Sequence, residues 1–329
     1  VIANLGAENP FEGLEGQATR FAYAAALLEL AETNPDVVVL DADVSKSIKT
    51  NQFAEKYPDR SFNFGIAEQN MMAAAAGMAS TGLVPFVSTY AVFASMRALD
   101  QLRNSIHYPK LNVKVGASHS GITPGPDGVT HQAQEDMSLL RALANSTVIA
   151  GADSVTVGKA THASAAWDGP VYLSFTRDPV PYIYTDDVPY EIGKAITVRD
   201  GDDMTIIAMR DLVFHALVAA ERLAAEGISV RVLDMHTLKP LDEDVVLTAA
   251  RETGAIVTAE NNVIFGGLGS AVAELLVENH PIPMKRIGVR DTFAESGPYL
   301  EVIDKYGLTY PHIIDAARNV LDRKSVPVT

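Results

Sequence analysis

Three groups of residues in this 329-residue chain have types and spacings that could do chemistry. The first is Gly65-Ile66-Ala67-Glu68-Gln69-Asn70-Met71, where an acid opens an alanine-rich run continuing through Met72 and residues 73–76. A carboxylate entering an apolar helix is costly unless a partner meets it. The plainer alternative is a first-turn glutamate that complements the helix dipole. Phe86, Tyr90 and Phe93 follow at i, i+4, i+7. That spacing suits a helical core stripe, and equally a flat wall for a bound ring.

The second group is Ser118-His119-Ser120-Gly121, then Gly125-Pro126-Asp127-Gly128-Val129-Thr130-His131-Gln132. Two histidines and an aspartate on one glycine-rich loop could move protons and hold hydroxyl groups. A lone histidine is more often a satisfied structural residue. A metal site is a third reading, but a two-histidine loop lacks a full ligand pattern. The third group is dispersed: Arg20 in Ala18-Thr19-Arg20, Ser47 in Asp41-Ala42-Asp43-Val44-Ser45-Lys46-Ser47, and Arg177 in Ser174-Phe175-Thr176-Arg177. Guanidinium forks suit phosphate oxygens, although each residue alone reads as a surface arginine or a turn serine. Asp43 reads as a turn residue at a strand end.

Elements to position these groups are visible in the pattern. Short β-branched runs at 37–40, 84–88, 112–116, 148–150 and 171–175 alternate with helical stretches at 19–32, 67–81, 91–107, 134–144 and 154–166. Such alternation means crossover units and a parallel sheet covered on both faces. The loop after 112–116 would then lie at the carboxyl ends of the strands, where open α/β sheets bind ligands. Pro179, Pro181, Asp186, Asp187 and Pro189 make a linker. The alternation restarts with strands at 205–208, 229–233, 255–259 and 285–289 and helices at 212–226, 243–253, 268–278 and 311–322. The expected organisation is an arm over 1–15 and two doubly wound α/β domains, 16–185 and 190–329.

Composition bounds the partners. The apolar fraction of 47% supports packed cores. The formal charge of −15 disfavours nucleic acid and anionic membranes, so an anion site needs a local basic cluster. The absence of cysteine excludes thiolate chemistry and fits a reducing, cytoplasmic setting. No signal peptide or membrane span is visible, and a chain starting at Val1 is expected to lack its true N-terminus.

The wider segment from residue 62 to 71, then Pro85-Phe86-Val87-Ser88-Thr89-Tyr90-Ala91-Val92-Phe93 and Ala98-Leu99-Asp100-Gln101-Leu102-Arg103, resembles transketolase. The likeness runs from about residue 18 to about 180, and a weaker one to the family's C-terminal domain covers the rest. It implies a thiamine-diphosphate pyrimidine-binding domain plus a transketolase C-terminal domain. It also implies that Glu68 bonds the pyrimidine nitrogen, favouring the imino tautomer that generates the nucleophilic ylid. Phe86, Tyr90 and Phe93 would wall the pyrimidine, and Asp43 would lie near the cofactor across a subunit contact. Arg20, Ser47, His119 and Arg177 would hold a phosphorylated or otherwise anionic sugar. Asp127 would accept from a substrate hydroxyl, and His131 would shuttle a proton near the carbonyl.

Departures from the family pattern are Pro126 and Val129 in the loop, and Arg210-Asp211 where relatives often have Thr-Gly. The diphosphate-binding signature is missing: Gly201-Asp202-Asp203 is the turn before a strand, and Asn261-Asn262 lies too far downstream to pair with it. Phe265-Gly266-Gly267-Leu268-Gly269 has the wrong spacing for a dinucleotide fingerprint and reads as a strand-to-helix turn. The resemblance therefore implies the small subunit of a split transketolase, inactive alone. A large partner would hold the diphosphate and Mg2+ (or Ca2+) in an α2β2 assembly, and no residue of this chain is assigned to the metal. Rival readings are the β subunit of a 2-oxo acid dehydrogenase, a deoxyxylulose-phosphate synthase-like enzyme, and a regulatory subunit without catalysis.

Overall fold

The computed structural model describes residues 5–325. The first α/β unit runs β1 (Gly16–Ala18), α1 (Arg20–Thr33), β2 (Val37–Asp41), α2 (Ser45–Ile48), α3 (Asn51–Lys56), β3 (Ser61–Asn63), α4 (Glu68–Ser80), β4 (Val84–Tyr90), α5 (Leu99–Gln101), β5 (Lys114–Ser118), α6 (Asp136–Ala142), β6 (Thr147–Ala150), α7 (Ser154–Ala166), β7 (Val171–Ser174) and β8 (Pro179–Pro181). The second runs β9 (Ile196–Arg199), β10 (Met204–Ala208), α8 (Leu212–Ala224), β11 (Val230–Asp234), β12 (Thr237–Lys239), α9 (Glu243–Thr253), β13 (Ile256–Val263), α10 (Leu268–Asn279), β14 (Met284–Val289), α11 (Tyr299–Lys305) and α12 (Tyr310–Lys324).

Two mixed α/β sheets result, as the alternation implies. The larger has the order β12-β6-β7-β5-β4-β2-β3, and the smaller β14-β13-β10-β11-β9. All neighbours are parallel except β12 on β6 and β9 on β11. Every residue of β2 is buried, as a strand covered on both faces requires. Helix α1 covers one face through Tyr23, Leu27 and Leu30, and ends at Asn34, ahead of Pro35. Helix α4 covers the other through Met71, Met72, Ala75 and Ala76. Burying each large apolar side chain stabilises by roughly 1.5–3 kcal/mol.

The two units interlock. Strand β12 leaves the second and completes the first unit's sheet, pairing Thr237 with Ile149. One apolar cluster includes Val87 and Met71 from the first unit and Leu233, Val246 and Leu268 from the second. Strand β12 is three residues long and carries no periodic signal, so the sequence pattern passes over it.

Other departures have physical causes. The helix expected over 91–107 is broken: π-helical stretches Phe93–Arg97 and Leu102–His107 flank α5. Ala98 N–H bonds Phe93 O at 3.3 Å and Tyr108 N–H bonds Arg103 O at 2.9 Å, each five residues back. Such bulges re-aim side chains and recur at functional sites. Within the expected linker, Pro179–Pro181 forms β8 and pairs antiparallel with β1. A Cβ on Gly16 would stand 2.4 Å from Val180 O, so this approach needs glycine. Of the expected arm, residues 1–4 lie outside the described residues; Phe11 packs 5.0 Å from Phe214 of the second unit. Residues 326–329, at the end of the second expected domain, also lie outside them.

Candidate active site

Strand ends and turns bring most of the candidate residues into one line of contacts. Glu68 begins α4 and is buried, with 1% of its surface exposed. Its Oε2 accepts from Arg97 Nη1 at 2.8 Å, the only hydrogen bond to this carboxylate among the described residues. The Arg97 guanidinium lies 4.3 Å over the Phe93 ring. Phe93 in turn meets His131 edge-on at 5.5 Å and stacks near Tyr90 at 5.8 Å. Tyr90 ends β4, stacks on His119 at 3.9 Å, and donates from its hydroxyl to Ser47 Oγ at 2.9 Å.

A corner with two guanidinium groups adjoins His119. Thr19 Oγ1 lies 3.0 Å from Thr176 Oγ1 and accepts from Thr176 N–H at 2.9 Å, which sets the following residues, Arg20 and Arg177, side by side. Arg20 Nε is buried without a partner. Burial and the neighbouring Arg177 lower the pKa of Arg20, while Asp178, Tyr90 and Asp127 oppose them. Arg177 pairs with Asp178 at 2.8 Å and with Asp127 at 3.3 Å. Burial first, then the charges of Arg20 and Arg177, push His119 down to about 3, so its ring is neutral at physiological pH. His119 is also held at φ 63°, a left-handed conformation that a non-glycine residue adopts at a cost. His131 Nδ1 lies 3.0 Å from Thr130 Oγ1, leaving Nε2 with no protein partner among the described residues.

Two candidates lie apart. Phe86 is corrected: it sits on β4 with its ring buried among Tyr23, Val39 and Phe53 in the core under α1. On a strand the i+4 relation keeps Phe86 and Tyr90 on one face but sets them about 13 Å apart along β4, where a helix would bring them within about one turn. Asp43 is exposed at φ 65° after β2, and its Oδ1 accepts from Asn63 Nδ2 at 3.4 Å. The sequence pattern missed Arg97, visible only as Phe93+4 on a helical stretch. It also passed over Asp41, buried at the end of β2 with Oδ2 unpartnered and its pKa pushed up to about 6 by burial.

The Arg210-Asp211 departure has a structural cause. Arg210 is 1% exposed and donates to Ser174 Oγ at 2.7 Å, Asn261 O at 2.6 Å and Asn262 Oδ1 at 2.9 Å. Ser174 Oγ donates to Ser120 Oγ at 2.6 Å, and Asn261 Oδ1 accepts from Ile122 N–H at 3.0 Å. Asn262 Nδ2 donates to Asp136 Oδ1 at 2.7 Å, and Tyr172 OH to its Oδ2 at 2.8 Å; burial raises the pKa of Asp136. The second unit thereby braces the loop that carries His119, Asp127 and His131. A Cβ at Gly121 would meet Asn261 O at 2.2 Å, so the brace needs glycine there.

The line of contacts is flanked in sequence by exposed apolar side chains, Ile66 (77% exposed), Met96 and Val129. A groove of about 1020 Å3 lies elsewhere, between Tyr184, Tyr190 and the edge strand β9, and none of these residues lines it. Among the described residues no group of three or more His, Asp or Glu side chains is placed to hold a metal ion.

Comparison with known proteins matches both units to described families. The family described as transketolase, pyrimidine binding domain, matches residues 15–181, and that described as transketolase, C-terminal domain, matches 193–313. The chain is 43% identical over 317 residues to the 6-deoxy-6-sulfo-D-fructose transketolase subunit of Clostridium sp. (strain MSTE9), covering 96% of this chain and 98% of that one. It is 37% identical over 292 residues to a subunit of the apulose-4-phosphate transketolase of Phocaeicola vulgatus, covering 88% and 93%. A solved structure described as a split gene transketolase, inactive beta4 tetramer, superposes with a TM-score of 0.87 at 47% identity, covering 94% of this chain and all (100%) of that one.

Proposed function

The chain belongs to the transketolase family, and from that membership we propose that it is the small subunit of a split transketolase, transferring a two-carbon ketol unit from an anionic ketose to an aldose. The observation that carries this reading is the unbroken line from buried Glu68 through Phe93 and Tyr90 to His119 and the Arg20–Arg177 corner. In this reading one end of that line would meet a cofactor ring and the other an anion.

The residues present suit the pyrimidine half of thiamine diphosphate, because a buried carboxyl and an aromatic face are bridged by a single displaceable guanidinium, that of Arg97. When bound, that cofactor supplies a carbon nucleophile and an electron sink. Glu68 and Phe93 would hold its ring. Arg97 Nη1 already occupies Oε2 of Glu68 at 2.8 Å, whereas in this reading the carboxyl bonds a ring nitrogen. Arg97 therefore has to leave Oε2 when the ring arrives. Half-exposed and flexible, it can do so. His131 would move a proton at the substrate carbonyl through its unpartnered Nε2. Arg20, Ser47, His119 and Arg177 would hold the anionic head group, and Asp127 a hydroxyl.

The relatives matched almost end to end are named as subunits, which supports a separate large partner. That partner would carry the diphosphate domain with Mg2+ or Ca2+, in two copies with two of this chain, in the cytoplasm. The relatives' printed substrates, a sulfonated ketose and a phosphorylated one, support an anionic sugar. A 2-oxo acid dehydrogenase subunit needs no such corner, so Arg20, Ser47 and Arg177 favour ketol transfer.

The test mixes this chain with the large subunit that copurifies with it, thiamine diphosphate, Mg2+, a ketose bearing a terminal anion and an aldose. Cofactor-dependent transfer requiring both subunits is expected. No transfer with any ketose, in a mixture that binds the cofactor, would support the regulatory reading instead.

A further inference from the structure

The net charge at the anion corner is lower than two arginines suggest. Arg20 and Arg177 bring two positive charges, but Arg177 is held by Asp178 at 2.8 Å and by Asp127 at 3.3 Å. His119, buried against Tyr90, adds no charge. Asp127 belongs to the loop expected to meet sugar hydroxyls. Asp178 has no such role. It follows Arg177 directly, bonds its Nη1, and is about one quarter exposed (23%). We propose that Asp178 is a specificity-determining residue, cancelling enough positive charge that the Arg20–Arg177 corner takes a singly charged head group, a sulfonate, in preference to a doubly charged phosphate. The unpartnered Nε of Arg20 remains to meet one of its oxygens.

The selectivity follows from Coulomb's law. A singly charged group finds its countercharge in Arg20 and the unshared face of Arg177. A second negative charge finds Asp178 instead, a like charge at the same guanidinium, in a corner only partly screened by water. A penalty of roughly tenfold in kcat/KM is expected for that second charge.

This inference rests on the ketol-transfer reading above, and its test separates the two. In the complex with the large subunit and cofactor, kcat/KM is measured from pH 5.5 to 8 for two ketoses, one with a terminal sulfonate and one with a terminal phosphate. Each value is normalised to that of an uncharged ketose on the same preparation. A phosphate monoester gains its second charge near pH 6, whereas a sulfonate stays singly charged. The sulfonate-to-phosphate ratio should climb about tenfold as pH rises through 6, and Asp178→Asn should flatten that climb. The wild-type series needs no variant, so misfolding of the substituted chain does not shelter the idea. A ratio independent of pH in the wild type, or an undiminished climb in Asp178→Asn, overturns the role of Asp178 and leaves ketol transfer standing. Failure of all three ketoses overturns the functional reading, and the inference with it.

Discussion

At the scale of single residues, the decisive pair is Glu68 and Arg97. A carboxylate buried at a helix start needs a partner, and Arg97 provides one through a flexible, half-exposed side chain. That makes Arg97 a removable counter-ion. Arg97→Met keeps the stem over Phe93 but leaves Glu68 unpaired, so denaturant unfolding of the cofactor-free chain should show a loss of roughly 1–3 kcal/mol. Cofactor binding to the complex should tighten in the same variant, because no ion pair has to break first. Unchanged stability together with weaker cofactor binding would show instead that Arg97 holds the cofactor. Glu68 was legible from its sequence because a charged residue at the head of an alanine run is conspicuous. Arg97 was not, since an arginine on a helix carries no sign of which way it turns. Phe86 misled for a related reason: four residues are about one turn on a helix but about 13 Å on a strand, and β4 runs as a strand through Tyr90.

At the scale of elements, the second unit acts as a brace for the loop at 118–132. Arg210 makes hydrogen bonds to Ser174, Asn261 and Asn262 with almost no exposure. Removing a buried charge partner of this kind costs roughly 3–5 kcal/mol, so Arg210→Ala should lower the unfolding free energy by about that amount. It should also loosen the loop at 118–132, read as faster limited proteolysis there. A loss below about 1 kcal/mol with an intact loop would mean that the network is dispensable. The main strands and most helices were legible, because their apolar runs and periods follow directly from burial on two faces. Strands β1, β3, β8, β9 and β12 and the π-helical stretches were not. Each is short or depends on a contact made far away in the chain, as when Thr237 pairs with Ile149.

At the scale of the whole molecule, a strongly acidic chain gathers two of its guanidinium groups at one corner, with exposed Ile66 and Val129 beside Glu68 and His131 in sequence. Exposed apolar side chains grouped together mark surfaces that partners cover, and under the proposal above the large subunit would meet this chain there. No helix among the described residues is long and apolar enough to cross a membrane. The proposal as a whole stands on Glu68 meeting the cofactor ring in the assembled enzyme. The direct readout is hydrogen–deuterium exchange at the thiazolium C2 position of bound thiamine diphosphate, followed by NMR at matched cofactor occupancy. If Glu68 activates the ring, Glu68→Gln should slow that exchange by about 100-fold or more in the assembled complex. Equal exchange rates in the two proteins at full occupancy would place activation elsewhere.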